Sequence, residues 1–265
     1  KTLTVTVGLL FCSLAQADLI LSAAPREDKA AGLKTYGPLA KRLSAVLDEK
    51  VVYEHPGSWA EYSGKIRKDH YDILLDGPHL TSWRMKHIEH QPVARLPGHL
   101  AFKFAVRKDN RDFTDLKSLR LAKICAFTTP NLTAVVLLDR YRNELVAPTV
   151  VHIKGNMGDI YKALINGKCD AAVLRDQFYD KKLTKEQKAK LKIIYTSRKF
   201  PNQGVSASRR IDAKKREQIA KVLQDGDPSI KPIIDRFSKK SKHFVASHPS
   251  EYDGARHLLE GVVWG

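Results

Sequence analysis

The stretch Tyr71-Asp72-Ile73-Leu74-Leu75-Asp76-Gly77-Pro78-His79 constrains this chain more than any other. An apolar strand from Tyr71 to Leu75 meets a turn at Asp76-Gly77-Pro78, and His79 to His87 then read as a helix. Gly77 permits a tight turn, and Pro78 suits the first helical position, where a missing N–H costs nothing. A strand that turns straight into a helix leaves unpaired backbone N–H groups at the helix start, a geometry that favours a bound anion. The pattern returns at Gly167-Lys168-Cys169-Asp170-Ala171-Ala172-Val173-Leu174-Arg175-Asp176. Both copies place a helix, a break, an Asp and an apolar strand in the same order. Two matching α/β halves with a cleft between them are predicted.

The rest of the chain fits that plan. Asp18 to Ala24 reads as a first strand, Tyr36 to Leu47 as an amphipathic helix started by Pro38, and Val51 to Glu54 as a second strand. Ser58 with Glu61 forms a capping-box pattern for a helix that starts at Trp59 and ends near Asp69. A second half follows, with strands at Leu121–Phe127, Thr149–Ile153 and Cys169–Leu174 and helices at Ala134–Tyr141 and Asn156–Asn166. Gly98 to Arg107 alternates polar and apolar residues and is long enough to pass from one lobe to the other. Phe200 to Ala207 reads as the return, and helices Ala213–Gln224 and Ile230–Phe237 are expected to pack back on lobe one. The expected organisation is lobe one at 18–103 and 203–265, lobe two at 104–202, and each lobe a doubly wound, mainly parallel sheet. Closure is expected as a hinge motion about Phe102–Val106 and Gln203–Ala207.

Residues 1–17 combine a basic residue, an apolar run and an Ala-Gln-Ala end, the pattern of a secretory signal lacking its initiator Met and cleaved before Asp18. The apolar run is too short for a good membrane span, and Phe11 stands before Cys12 where a lipoprotein site wants a small residue. The expectation is a periplasmic protein with no membrane insertion. Cleavage leaves Cys125 and Cys169, an even pair that an oxidising compartment invites into a disulfide; two buried thiols are the other reading.

Charge narrows the partners. Lys and Arg number 46 against 29 Asp and Glu, a formal net charge of +17. That balance points to an anionic ligand, an acidic partner or a negatively charged surface, although runs such as Asp180–Lys188 also read as solvated helix faces. No Gly-x-Gly-x-x-Gly, P-loop or Gly-x-Ser-x-Gly motif occurs. His79, His87 and His90 offer no clean metal face, the two later cysteines form no Cys-x-x-Cys motif, and no nucleophile–base pair stands out. Neither an enzyme nor a cofactor or metal is expected. The signal and the lack of an aromatic-interleaved basic patch argue against nucleic acid.

Several pieces in this order carry a family resemblance: Ala24-Pro25-Arg26-Glu27-Asp28; Tyr36-Gly37-Pro38-Leu39-Ala40; Asp72 through Gly77-Pro78; Phe113-Thr114-Asp115-Leu116-Lys117; Asn166 through Ala172; and Tyr252 with Arg256. Together they resemble the phosphate/phosphite/phosphonate-binding family of ABC importers, which are type II periplasmic solute-binding proteins. The resemblance implies a two-lobed α/β fold and a monomer that takes a small anionic ligand, phosphonate- or phosphate-like, to an ABC permease. Another reading of the same fold is a ligand-sensing subunit that docks on a membrane histidine kinase or other signalling partner. The expected ligand-binding residues are Arg26, Trp59, His79, Thr128, Thr129, Asn131 and Arg175, with Tyr36 and Asn202 behind them.

Each has a plainer alternative. Arg26 could grip an oxyanion through two N–H groups or be a solvated loop arginine. Thr128, Thr129 and Asn131 could meet the ligand or simply cap a helix. Arg175 could face the cleft or pair with Asp176 or Asp180. His79 could donate to the anion or be structural, and Trp59 could stack on the ligand or cover the core. Trp59 falls where the family carries a ligand-reaching Tyr, and Thr128–Asn131 falls on its Ser/Thr-rich anion loop. Two departures are visible there: Trp donates but cannot accept a hydrogen bond, and Pro130 removes a backbone donor.

Overall fold

The computed structural model describes residues 17–141, 143–238 and 241–264; all but the last residue of the expected export signal lies outside them. The first unit runs β1 (Leu19–Ala23), α1 (Lys29–Leu47), β2 (Val51–Tyr53), α2 (Trp59–Arg67), β3 (Ile73–Asp76), α3 (Pro78–His87) and β4 (Gln91–Arg95). The chain crosses through β5 (His99–Leu100) into β6 (Phe102–Arg107), β7 (Lys123–Ala126) and α4 (Leu132–Leu138). The second unit continues with β8 (Thr149–His152), α5 (Met157–Ile165), β9 (Ala171–Arg175), α6 (Asp176–Lys182), α7 (Lys185–Ala189) and β10 (Leu191–Thr196). It returns through β11 (Phe200–Pro201) to β12 (Gly204–Ala207), α8 (Ala213–Gln224), α9 (Lys231–Phe237) and β13 (Val245–Ala246). Among the described residues no helix is long and apolar enough to cross a membrane.

Two sheets share one plan. The first has the order β13-β4-β12-β3-β1-β2 and the second β10-β6-β9-β7-β8. In the first, β2, β1 and β3 are parallel; in the second, β8, β7 and β9 are. Each sheet then receives an antiparallel strand from the segment that crosses between the units, β12 beside β3 and β6 beside β9.

The repeated Asp of the sequence has one job in both units. Asp72 precedes β3, and its carboxylate accepts the backbone N–H of Ile20 on β1 at 2.8 Å. Asp170 precedes β9 and accepts the N–H of Lys123 on β7, also at 2.8 Å. Each carboxylate satisfies a donor at the start of the neighbouring parallel strand and so fixes the register of the two strands whose far ends form the cleft.

Local chemistry explains where the elements begin. Asp28 caps α1 by accepting the N–H of Ala31 at 2.8 Å, so α1 starts at Lys29 and Pro38 lies inside it rather than at its start. An interior proline forfeits a helical hydrogen bond. The buried stripe of Tyr36, Leu39, Ala40, Leu43 and Leu47 holds the helix together across it. Those residues join Ile73, Ile219 and Ile233 in a core under α1, α8 and α9. Ser58 caps α2 through the N–H of Glu61 at 3.1 Å. The crossing differs from expectation. Phe102–Val106 and Gly204–Ala207 are interior sheet strands, whereas the chain passes between units at the short ladder pairing Phe200 with Leu100 and Pro201 with His99. Asn202 knits that ladder by donating to the carbonyl of Pro97 at 2.9 Å.

Cys125 on β7 and Cys169 just before β9 are bonded, with Cα atoms 5.8 Å apart. The parallel pairing of β7 with β9 brings them together. The bridge closes a loop with a sequence separation of 44, for which chain entropy gives about 4 kcal/mol of stabilisation. The double substitution C125S/C169S is expected to lower stability by about that amount in urea unfolding, and reductant is expected to have no further effect on it.

Candidate functional site

The cleft wall starts at the C-terminal ends of β1 and β3, the two strands flanking the point where chain direction reverses across the first sheet. Ligands of open α/β sheets settle at such switch points. Arg26 follows β1, and its N–H bonds back to the carbonyl of Ala24 at 2.8 Å. His79 follows β3 as the second residue of α3. In the second sheet the equivalent strands are β7, followed by Thr128–Asn131, and β9, which ends in Arg175.

A cavity of about 470 Å³ lies between the units, its lining including Arg26, Trp59, His79, Thr128, Thr129 and Asn131 together with Gln203 and Arg236. Six of the seven expected ligand-binding residues therefore share one space. Arg175 lines a neighbouring cavity of about 790 Å³ instead, together with Pro97, Asn202 and Phe237; Arg236 borders both. The expected partners of Arg175 are engaged elsewhere, Asp176 with His99 at 3.1 Å and Asp180 with Lys103 at 3.8 Å. The Nε of Arg175 is buried with no hydrogen-bond partner. Burial pushes its pKa below the ordinary arginine value, against the pull of Asp176.

Each cavity residue is held by its own element. One N–H of Arg26 donates to Gln203 Oε1 at 3.2 Å, and its guanidinium sits over the Phe237 ring at 5.6 Å. Its other terminal nitrogen, Nη1, is buried and has no hydrogen-bond partner. Trp59 meets Tyr62 edge-on with ring centroids 6.0 Å apart. Asn131 is committed to capping, since its Oδ1 accepts both the N–H and the hydroxyl of Thr133 at 3.0 Å. His79 is buried, and its Nε2 donates across the cleft to the carbonyl of Pro130 at 2.7 Å, a direct tie between the units. Gly77 has φ −77° and ψ 156°, a conformation open to any residue. Glycine is required there for room, because a Cβ would stand 2.7 Å from Cε1 of the His79 ring. Tyr36 is a core residue packed on Tyr53 and does not line the cavity.

Beneath His79 lies a buried ion pair. Asp76 receives Nη1 and Nη2 of Arg84 at 2.6 and 2.9 Å, and the hydroxyl of Tyr62 at 2.6 Å. Arg84 Nη2 also donates to Ser206 on β12 at 2.9 Å. Burial alone would push the Arg84 pKa down; Asp76 more than offsets this and raises it above the ordinary value. Gln203 and Arg236 escaped the sequence reading because both arrive with the return segment. The proximity of Gln203 to the Phe200–Pro201 crossing was the one available signal. Among the described residues no group of three or more His, Cys, Asp or Glu could hold a metal ion.

Residues 21–252 match the family described as "ABC transporter, phosphonate, periplasmic substrate-binding protein". No curated protein matches the sequence. Among solved structures, XAC2383 from Xanthomonas citri bound to ATP is similar at TM-score 0.72 and 13% identity, covering 94% of this chain and 100% of that one. PhnD1 from Prochlorococcus marinus in complex with methylphosphonate has TM-score 0.64 and 15% identity, covering 92% of this chain and 97% of that one. A binding protein component of an ABC phosphonate transporter from Pseudomonas aeruginosa has TM-score 0.58 and 14% identity, covering 92% and 85%. At these identities the structural likeness establishes the two-lobed binding-protein fold.

Two outcomes are expected from the buried groups. Arg84→Met leaves Asp76 as an uncompensated buried charge and should cost about 3–5 kcal/mol in urea unfolding, while the double variant D76N/R84M should lose less than that. His90 is buried beside Ser206, and burial, then Arg84 and Arg210, push its pKa to about 2; burial likewise takes His79 to about 4. Both lie below the ordinary value of 6.5, so below that pH the unfolded chain takes up protons that the folded chain refuses. Stability should therefore fall as pH drops from 6.5 towards 5, by up to about 1.4 kcal/mol per pH unit for each histidine. Urea melts across that window should show the slope, reduced by one proton in His90→Gln.

Proposed function

Because the chain belongs to the family of periplasmic substrate-binding proteins of phosphonate ABC transporters, we propose that it captures a small phosphonate- or phosphate-like oxyanion between its lobes and delivers it to an ABC permease. One observation carries this reading: the inter-lobe cavity is lined by a half-buried arginine, Arg26, whose Nη1 atom is buried without a hydrogen-bond partner. A buried donor atom without a partner is costly, and an anion in the cavity would complete it. Thr128 and Thr129 line the same space from the other lobe, and Trp59 lines it with an aromatic ring. Arg175 and Arg236 line the adjoining cavity, Arg236 paired with Glu27 at 3.6 Å, so of the two Arg175 adds the larger share of positive potential there. A methylphosphonate complex and an ATP complex among the proteins of this fold agree with a ligand that presents oxygens on phosphorus.

Closure around the ligand would turn on the ladder of β5 with β11, where only two residues pair on each side. The export signal expected at residues 1–17 would place the mature protein where its family works.

A ligand that binds only the folded state raises the melting temperature with concentration. Methylphosphonate, phosphite and phosphate are the probes, and a dose-dependent rise with at least one of them is expected. Arg26→Ala should weaken that binding by roughly 10- to 150-fold, the loss of one charge-assisted hydrogen bond to a buried anion. A flat response to all three would overturn the proposal.

A further inference from the structure

His79 and Arg26 line one cavity, and each carries a buried polar atom without a partner, the two of opposite character. His79 is 4% exposed, and its Nε2 lies 2.7 Å from the carbonyl oxygen of Pro130. A carbonyl only accepts, so Nε2 carries the hydrogen. The other ring nitrogen, Nδ1, is buried and has no hydrogen-bond partner. In a neutral imidazole protonated at Nε2, Nδ1 is a lone pair. It accepts an O–H or N–H and repels a bare anionic oxygen. Arg26 Nη1 is the reverse, a donor that wants such an oxygen.

We infer that the site selects an oxyanion in its singly protonated form, an acid of the type R–PO₂(OH)⁻, whose O–H donates to His79 Nδ1 while an ionised oxygen takes Arg26 Nη1. The inference rests on the oxyanion reading above and adds a protonation state to it. The ring is fixed for this role on both sides. Pro130 of the opposite lobe holds Nε2, and the absence of a side chain at Gly77 makes room for the ring, since a Cβ there would stand 2.9 Å from Nδ1.

The alternative, an imidazolium that donates from both nitrogens, is opposed by its surroundings. Burial pushes the His79 pKa down to about 4; Asp76 and the Pro130 carbonyl pull it up, and Arg26 and Arg84 push it down. Arg236, paired with Glu27 at 3.6 Å, also lines the cavity. The loop from the second lobe, Thr128–Asn131, contributes no titratable side chain. Near neutral pH the ring is neutral, and the proton in the Nδ1 contact belongs to the ligand.

Sulfate separates the two cases, because it carries no proton near neutral pH and has the same tetrahedral shape as phosphate. Calorimetric titration of the purified protein with methylphosphonate and sulfate, at pH values spanning the second ionisation of methylphosphonate, is the test. Methylphosphonate should bind with constant affinity while the monoanion dominates and lose about tenfold per pH unit above the second ionisation, as linkage to one proton requires. Sulfate should bind roughly 5- to 150-fold more weakly, the scale of leaving a buried site group without its hydrogen bond. His79→Asn, whose amide can turn an N–H towards the ligand, should admit sulfate and flatten the pH profile. Methylphosphonate affinity that holds or rises through the second ionisation, or sulfate binding of equal strength, overturns the inference and leaves the oxyanion reading standing. Failure of both ligands and of phosphate to bind at any pH removes both. The wild-type pH profile decides the matter even where a variant fails to fold.

Discussion

The contact between Asp76 and Arg84 sets the geometry on which the cleft depends. Both side chains are fully buried, so neither charge has water to fall back on. Such a pair persists only when its remaining lone pairs and protons are met. Tyr62 from α2 and Thr81 from α3 meet the carboxylate, and Ser206 from β12 meets the guanidinium. The network therefore ties four elements to the point where β3 becomes α3. Asp76 ends the strand and Arg84 lies on the helix, so their pairing fixes the angle at which the helix leaves the sheet. His79 rides on the first turn of that helix, and its ring position is a consequence. Because Ser206 sits on a strand that enters from the crossing, the same network fastens the return of the chain to the ligand wall.

Duplication of one plan explains why the cleft has two comparable faces. Each sheet has a central parallel strand flanked by two parallel neighbours, and an Asp before the third strand locks it to the first. The loops after the equivalent strands then meet across the gap: Arg26 and His79 from one side, Thr128 and Thr129 from the other. The chain crosses between the units twice, through the short β5–β11 ladder that leads to β6 and β12, and the His79–Pro130 hydrogen bond adds a tie across the cleft. The second unit differs where it carries a disulfide between its equivalent strands; β1 and β3 hold together through hydrogen bonds and packing alone.

Much of this was legible in the sequence because strand, turn and helix signals are local. The bounds expected for the helix at Ala213–Gln224 are those of α8, and the two Asp-led apolar strands fall at matching positions in their sheets. The local signal failed where long-range structure decides. Pro38 suggested a helix start, yet Asp28 supplied the cap and the buried stripe carried the helix through the proline. Alternation along Gly98–Arg107 hid the break between β5 and β6, since a change of sheet leaves the period of two intact. Pro92 concealed β4, a strand sharing its sheet with β12. Arg175 was correctly placed at the end of its strand, but which of two adjoining cavities it lines depends on how the lobes meet, and no local pattern records that. His79 was visible as a cleft residue; its donor and acceptor atoms became assignable only once Pro130 was seen against Nε2.

The net charge of the chain and the chemistry of the cleft are separate matters. Part of the positive charge is neutralised in exposed pairs such as Lys50 with Asp18, Lys221 with Asp225 and Lys231 with Asp235. Pairs of that kind contribute little to stability, and the excess of +17 that remains attracts anions in general, screened by salt, without choosing among them. Selection needs groups that water cannot satisfy. In this cavity those are Arg26 Nη1 and His79 Nδ1, one able only to donate and the other, as a neutral ring, only to accept. A ligand that brings both an ionised oxygen and a proton answers both atoms at once. One that brings charge alone satisfies Arg26 and leaves a buried lone pair facing an anion. Discrimination between tetrahedral oxyanions of the same size therefore follows from a hydrogen count, and the rigid support of the His79 ring is what makes that count enforceable.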